Sequence, residues 1–562
     1  MADSNYCRNL ITSEDYADFI VEFNSGPGEF IRRNTGYCPQ VAGSRYGILH
    51  ESLENILPIR VQKYSYRAVP KLYGEMDTQA VEATGSVRLQ NLPVLNLKGQ
   101  DVIIGIIDSG IDYTHPAFRY SSGESRIISI WDQTDNSGAY PEYLDYGTEY
   151  TMEDINEALR SDNPYDVVRS RDTNGHGTFL AGVAAGSEDV EGDFIGAAPE
   201  AMIAVVKLKQ AKQYLRDYYF VGSDVVAYQE NDIMTAIRYL DALAARYDRP
   251  LVICIGLGSN QGSHSGDSYL ETVINELAGS AGRCVVLPTG NEGNAKHHYQ
   301  GTLTDNMVQS VEIRADNSFI AEIWGFSPDL ISISIVSPTG EIVPRIPAKI
   351  GQSDILSFLF ENTVIYVDYR IVEQRSGSQL IFLRFENPTP GIWKIQVLGE
   401  NVVTGIFHIW LPITAFVGDN TYFLNPEPDV TLTTPSTAAR AVTTSGYNSF
   451  NDTFYIDSGR GFTRGYSIKP NITSPSVNVY GPSLNGSYQA RTGTSAGAAL
   501  AAGAAAQLFQ WGIINENQED MTSEDIKNYL VRGARRNRSI TYPDRQWGWG
   551  IIDVYTALDI LR

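Results

Sequence analysis

Cysteine is scarce in this chain: four residues in 562, at Cys7, Cys38, Cys254 and Cys284. So few cannot staple a fold of this length, and their spacing matches no metal-ligand pattern, which excludes a disulfide scaffold and a zinc module. A reducing compartment is compatible with that usage, although extracellular bacterial proteins can also be cysteine-poor. Basic charge is in deficit as well. There are 43 Lys and Arg against 66 Asp and Glu, a net charge of −23, and no run of Lys and Arg forms a phosphate-neutralising patch, which argues against nucleic acid as a partner. The acidic excess is spread along the chain, as expected of a solvated surface. Met1-Ala2-Asp3-Ser4-Asn5 lacks a basic flank and an apolar stretch, and Glu14 and Asp15 interrupt the residues after it, so no secretory signal is visible. The longest run of mostly small residues, 496–506, covers 11 positions, short of the ~20 a membrane helix needs. No bilayer span is expected.

What is present is a large apolar inventory. Hydrophobic residues make up 43% and aromatics 11%, with 33 Tyr, enough to bury two or three cores and too much for a disordered chain. Between about residues 95 and 290, short apolar runs (102–107, 203–208, 251–255 and 284–287) alternate with helical patterns, the signature of a parallel sheet flanked by helices. One such helix carries Ile233, Ala236, Ile237 and Leu240 on one face. A second carries Leu270, Val273, Ile274 and Leu277, and Ser268 with Glu271 reads as a capping box at its start. The buried-strand context of Cys254 and Cys284 marks them as core thiols rather than nucleophiles.

From about residue 296 to 428 the helical period vanishes. Alternation takes over at Ile331, Ile333, Ile335 and at Trp393, Ile395, Val397, with turns at Ser337-Pro338-Thr339-Gly340 and Pro388-Thr389-Pro390-Gly391. This block is expected to be all-β, a sandwich or jelly roll inserted into the α/β unit. The α/β texture then resumes, with an Ala-rich helix from Ser495 and an amphipathic stretch over 523–532. Residues 1–80 contain a strand-like 18–23 and a Pro- and Tyr-rich segment, 64–74, and form a small unit of their own. The expected organisation is therefore an N-terminal unit (1–80), an α/β unit in two parts (81–294 and 429–562) and the β insertion (295–428).

Three short segments carry chemistry. Ile106-Ile107-Asp108-Ser109-Gly110-Ile111-Asp112 ends a strand and sets Asp108 at the carboxyl edge of a parallel sheet, where α/β folds place their sites. Alone, an Asp there is more commonly a helix cap. Asp172-Thr173-Asn174-Gly175-His176-Gly177-Thr178 opens an apolar helix, and the glycines flanking His176 permit close backbone approach. Alone, it is also a surface histidine in a polar turn. Gly493-Thr494-Ser495-Ala496-Gly497 starts the Ala-rich helix, where Ser495 reads first as an N-cap. Taken together they supply a hydroxyl, a base to activate it and a carboxylate to hold the base in the correct tautomer.

In this order the segments resemble the Asp, His and Ser boxes of the subtilases. The resemblance implies a subtilisin-like parallel sheet with helices on both faces, and peptide-bond hydrolysis by Asp108, His176 and Ser495. Val285-Val286-Leu287-Pro288-Thr289-Gly290-Asn291-Glu292-Gly293 resembles the family's oxyanion box, which implies that Asn291 donates its amide to the oxyanion beside the Ser495 N–H, with Thr289 and Gly290 near substrate. Gly256-Leu257-Gly258 resembles the strand that pairs with substrate backbone beside the S1 pocket. The likeness covers most of 95–294 and 429–562, including Lys469-Pro470-Asn471-Ile472 and Trp547-Gly548-Trp549-Gly550. It departs after Ser495, where Ala-Gly-Ala-Ala-Leu stands, and at Phe179, where the family often has His.

Asn291 and Ser495 are much further apart than in a minimal subtilase because the β block lies between them. That insertion, with the N-terminal unit, is similar to the clostridial spore-germination proteases (the Csp group) and related subtilases of Firmicutes. The likeness implies a small α+β prodomain whose tail, near 64–74, threads the cleft and is cut between about residues 70 and 95. It further implies a protein or peptide substrate, a zymogen-activating role in germination, and a bacterial cytoplasm or spore location. No cofactor is required by such chemistry; structural calcium occurs in the family, but no ligands for it can be placed.

Rival readings are weaker. Some members of the same group are catalytically silent binding or sensing pseudoproteases that have lost triad residues, whereas here Asp108, His176, Ser495 and Asn291 all stand. A dinucleotide cradle at Gly256, Gly258 and Gly262 has the wrong spacing and no helix opening at once. A zinc hydrolase lacks H-E-x-x-H, and His297-His298 has no helical partner ligands.

Overall fold

The structure is a computed structural model that describes residues 4–61, 63–75, 82–91, 95–190 and 192–559. Its frame is a nine-stranded sheet in the order Thr453–Phe454, Val442–Asn448, Arg283–Pro288, Leu251–Ile255, Ile103–Asp108, Met202–Lys207, Ile127–Asp132, Thr148–Thr151, with Ile472–Pro475 also paired to Val442–Asn448. The interior pairs are parallel. Two edge pairs, Thr453–Phe454 on Val442–Asn448 and Thr148–Thr151 on Ile127–Asp132, are antiparallel, so the expected parallel sheet ends in strands that fold back on their own neighbours in the chain.

Both faces of this sheet are covered, which explains the unbroken apolar runs of its strands. Ile104 and Ile106 point into a cluster formed with the helices His176–Ala185 and Thr494–Phe509; Ile103 and Ile107 point the other way, beneath Glu230–Tyr247 and Tyr269–Ala278. The expected stripe of Ile233, Ala236, Ile237 and Leu240 is buried there, and the Ser268 and Glu271 capping box is formed at the start of Tyr269–Ala278. Among the described residues one helical stretch, Thr494–Ile514, is long and apolar enough at 21 residues to cross a membrane, yet 83% of its apolar window is buried inside the protein. The run is longer than the 11 positions read from sequence because flanking Thr, Ser, Leu and Phe extend it, and its burial is that of a core helix.

The β block runs from His298–Thr302 to Tyr422–Phe423 as two antiparallel sheets of six and five strands that share one core. Ile331, Ile333, Ile335, Trp393, Ile395 and Val397 all face that core, as their alternation predicts. In the N-terminal unit Tyr16–Glu22 pairs antiparallel with Tyr46–Ser52, whose other edge carries Gln40–Val41. Cys7 and Cys38 form a disulfide, with Cα atoms 5.2 Å apart, because the fold lays the helix Ser4–Thr12 against the turn near residue 38, a proximity invisible in a sequence separation of 31. Cys254 and Cys284 are buried thiols, and burial pushes the Cys284 thiol up to about 12.

The N-terminal unit is seated on the α/β unit by a buried polar network. Asp18 Oδ1 accepts from His50 Nδ1 at 2.7 Å and from Lys212 Nζ at 2.9 Å, and its Oδ2 accepts from Gln229 Nε2 at 2.8 Å. Burial alone would raise the Asp18 carboxyl; Lys212 and His50, with Lys209 further off, outweigh it and hold the group well below the usual carboxylate range. A depressed folded-state pKa stabilises the protein above the unfolded value of ~3.9 and that contribution fades as pH falls through it. The Asp18→Ala protein, with Lys212 left buried and uncompensated, is expected to lose about 3–5 kcal/mol. Thermal unfolding at neutral pH checks this, and the deficit relative to wild type should shrink on acidification below about pH 4.

Candidate active site

Parallel pairing aligns three strand ends at one edge. Ile107 pairs with Ile255 and Cys254 with Val286, so Asp108, Gly256 and the turn Thr289-Gly290-Asn291 emerge side by side. Asp108 is fully buried, and its Oδ1 accepts from its neighbour's backbone Ser109 N at 2.8 Å and from His176 Nδ1 at 2.7 Å. With Nδ1–H donating to that carboxylate, Nε2 is left as the acceptor, and Ser495 Oγ lies 3.1 Å from it. The three residues, spread over nearly four hundred positions of the chain, form one hydrogen-bonded path.

His176 opens its helix against a tightly fitted floor. A Cβ on Gly177 would stand 2.2 Å from the Gly110 carbonyl oxygen, so only glycine lets the histidine approach Asp108 this closely. Asp172 organises the approach. Its Oδ1 accepts from Ser109 Oγ (3.0 Å), Asn174 N (3.0 Å) and Gly175 N (2.8 Å), and its Oδ2 from Thr178 N (3.0 Å) and Thr178 Oγ1 (2.7 Å).

Ser495 is the second residue of the helix Thr494–Phe509, whose cap position is Gly493. It is therefore not the N-cap, and its hydroxyl is free for the histidine while the helix N-terminus favours negative charge nearby. Asn291 Oδ1 accepts from Thr494 N at 3.0 Å and Thr494 Oγ1 at 3.1 Å. Those two donors fix which end of the amide is the carbonyl and leave the NH₂ end as donor.

Gly256 touches this path directly: a Cβ there would lie 3.0 Å from both Asp108 Oδ2 and His176 Cε1 and 2.4 Å from Leu180 Cδ1. Beyond it, Leu257–Gly258 is a short strand paired antiparallel with Leu72–Glu75, Leu257 opposite Glu75 and Gly258 opposite Gly74. The other edge of Leu72–Glu75 pairs with Tyr228–Gln229. A segment of the N-terminal unit thus lies as the middle strand of a three-stranded ribbon at the site and runs toward Gly256. Of the remaining expected residues, Gly290 has φ +91 and donates its N–H to Thr494 Oγ1 at 3.1 Å. Thr289 is fully buried with its hydroxyl 3.1 Å from Ser458 Oγ, so it props the Asn291 turn from behind.

Sequence reading missed Asp172, Thr494 and the strand Tyr228–Gln229. Asp172 had a signal, an Asp two residues before Asn-Gly in a turn that must be held. Thr494 and Tyr228–Gln229 had none, since their roles exist only across long-range contacts. His297 pairs with Glu292 at 2.7 Å and His298 Nε2 with His408 Nδ1 at 3.0 Å. Among the described residues no group of three or more His, Cys, Asp or Glu is placed to hold a metal ion.

The chain matches the model of the subtilase family over residues 99–353 and 413–550. It is similar in structure to the CspB protease of Clostridium perfringens, with a TM-score of 0.77 and 28% identity, covering 86% of this chain and 98% of that one. In sequence it is 24% identical over 286 residues to the major intracellular serine protease of Bacillus subtilis, covering 50% of this chain and 73% of that protein. It is also 22% identical over 538 residues to the PIII-type proteinase of Lactococcus lactis, covering 83% of this chain but spanning only 25% of that much longer protein.

The network beneath His176 generates one expectation. Replacing Asp172 by Ala strands its five donors in a buried turn and should cost about 3 kcal/mol or more, whereas Asp172→Asn, which keeps an acceptor, should cost less. Unfolding of the two variants in urea ranks them.

Proposed function

The chain belongs to the subtilase family, and we propose that it is a subtilisin-like serine endopeptidase in which Ser495 attacks the scissile carbonyl. His176 Nε2 takes the hydroxyl proton as the Oγ–C bond forms and returns it to the leaving amine. Asp108 holds the imidazole tautomer and stabilises the imidazolium. The resulting acyl-enzyme is hydrolysed by a water that His176 deprotonates in turn. The Asn291 amide and the Ser495 N–H receive the oxyanion. This chemistry calls for no cofactor. The observation that carries the reading is the hydrogen-bonded path Asp108–His176–Ser495, at 2.7 and 3.1 Å.

The finer reading is that the N-terminal unit is a prodomain, the β block a jelly roll, and Leu72–Glu75 the acyl-side strand of the protein's own cleavage site. The support is the direction of that strand. It passes Gly258 and then Leu257 toward Gly256, which touches Asp108 and His176, so the bond to be cut lies beyond Glu75. The cut falls in 75–82, inside the expected 70–95; residues 76–81 and 92–94 of that window lie outside the described residues. The likeness to Csp-group proteases supports a protein zymogen of germination as the physiological substrate, and with it a bacterial cytoplasm or spore location.

A fluorophosphonate probe should label wild type and not Ser495→Ala; folded wild-type protein that resists labelling would overturn the protease reading. Asn291→Ala should lower turnover by ~10²–10³ with a smaller change in KM. Intact-mass spectrometry should find wild type cut within 75–82 and Ser495→Ala whole, and identical uncut chains in both would refute self-processing.

A further inference from the structure

A cavity of ≈ 580 Å³ borders Asn291. Its lining includes none of Leu72–Glu75, Tyr228–Gln229, Gly256–Gly258, Thr289 or Gly290, so it is neither the groove that strand fills nor the pocket beside Gly256. The α/β unit supplies Asn291, Glu292, Tyr455 and Asp457; the far wall comes from the β block and its exit, through Ile413, Thr414, Asp419 and Tyr422. The loops are tied together at the cavity's rim. Gly293 N donates to the Asp457 carbonyl at 2.8 Å, and Glu292 Oε1 accepts from Thr414 N and Thr414 Oγ1, both at 3.0 Å.

On the protease reading, a peptide lying across Ser495 has its acyl part where Leu72–Glu75 pairs with Leu257–Gly258, and the residues past the scissile bond need a separate surface near Asn291. The charges there are uneven. Glu292 is engaged by His297 at 2.7 Å and by Thr414, and the Lys296 ammonium lies 5.1 Å over the Tyr422 ring. The carboxylates of Asp419 and Asp457 have no ion-pair partner among the described residues. Resting on the protease reading above, we infer that this cavity is the leaving-group subsite, built jointly by the catalytic unit and the β insertion, and that it favours Lys or Arg in the residues just after the cut bond. The insertion then selects substrate as well as bracing the fold.

The full chain can be tested with p-nitrophenyl acetate, whose small acyl group needs no groove. Ser495 Oγ takes the acetyl and releases p-nitrophenol. An added amino-acid amide then attacks the ester carbonyl: the N–C bond forms, the Oγ–C bond breaks, and the amine proton passes through His176 to Oγ. With arginine amide and glutamic acid amide at equal concentration, wild type should form about tenfold more N-acetyl-arginine amide, and the Asp419→Asn/Asp457→Asn protein should discriminate by less than about twofold. A p-nitrophenol burst with equal capture of both amides in wild type, or with discrimination unchanged in the variant, would overturn this inference alone. Absence of any burst from folded protein would overturn the protease reading and this one with it.

Discussion

The parallel register of the central strands is the constraint on which the site depends. A parallel sheet points every strand's carboxyl end the same way, and the pairings of Ile107 with Ile255 and Cys254 with Val286 leave no freedom to shift one end against another. A slip of one residue would send Asp108 to the opposite face, into the core beneath a helix. Apolar burial on both faces of the sheet enforces the register, since Ile103, Ile104, Ile106 and Ile107 are each fully buried on alternating sides. The chemistry of the edge is thus inherited from the packing of the middle.

The edge also explains the glycines. Gly177 and Gly256 stand where histidine, carboxylate and strand end crowd together, and a Cβ at either would collide with the backbone or side chains it must approach. These positions trade helix and strand propensity for proximity. The same economy appears at Thr494, whose N–H and hydroxyl both orient Asn291 while the next residue presents the hydroxyl to His176. Adjacent residues therefore set the donor of the proposed oxyanion site and the proposed nucleophile, so neither can move without the other.

Much of this was legible in the sequence. The strand runs, the two amphipathic helices and the capping box at Ser268 follow from periodicity, because local pattern and burial agree there. The β block was readable from its change of period, and its inward residues were the ones alternation picked. Asp108, His176, Ser495 and Asn291 were found by resemblance of their boxes, since each alone has a blander explanation. What stayed hidden depends on contacts between distant segments: the Cys7–Cys38 bond, the support of Asn291 by Thr494, the scaffold position of Thr289, and the pairing of Leu72–Glu75 with Tyr228–Gln229.

The insertion raises the last physical question, how a block of more than a hundred residues can interrupt an α/β unit without loosening it. Its neck is closed where it leaves and returns. Glu292, next to Asn291, binds Thr414 at the exit, and Asn260 Nδ2 donates to the Leu411 carbonyl at 3.1 Å. Behind the neck, Trp324, Phe382 and Trp410 of the β block pack with Phe19, Tyr66 and Leu72 of the N-terminal unit and with Leu215 of the α/β unit in one apolar cluster. Tyr66 Oη donates to Glu322 at 2.6 and 2.7 Å, and Arg67 forms a two-point pair with Glu373 at 2.6 and 2.9 Å. Three units that could each have moved as separate bodies share a core and buried charges. The segment leading to Leu72–Glu75 is gripped from two sides before it reaches the carboxyl edge of the sheet, so its placement there is a consequence of packing well upstream of the site.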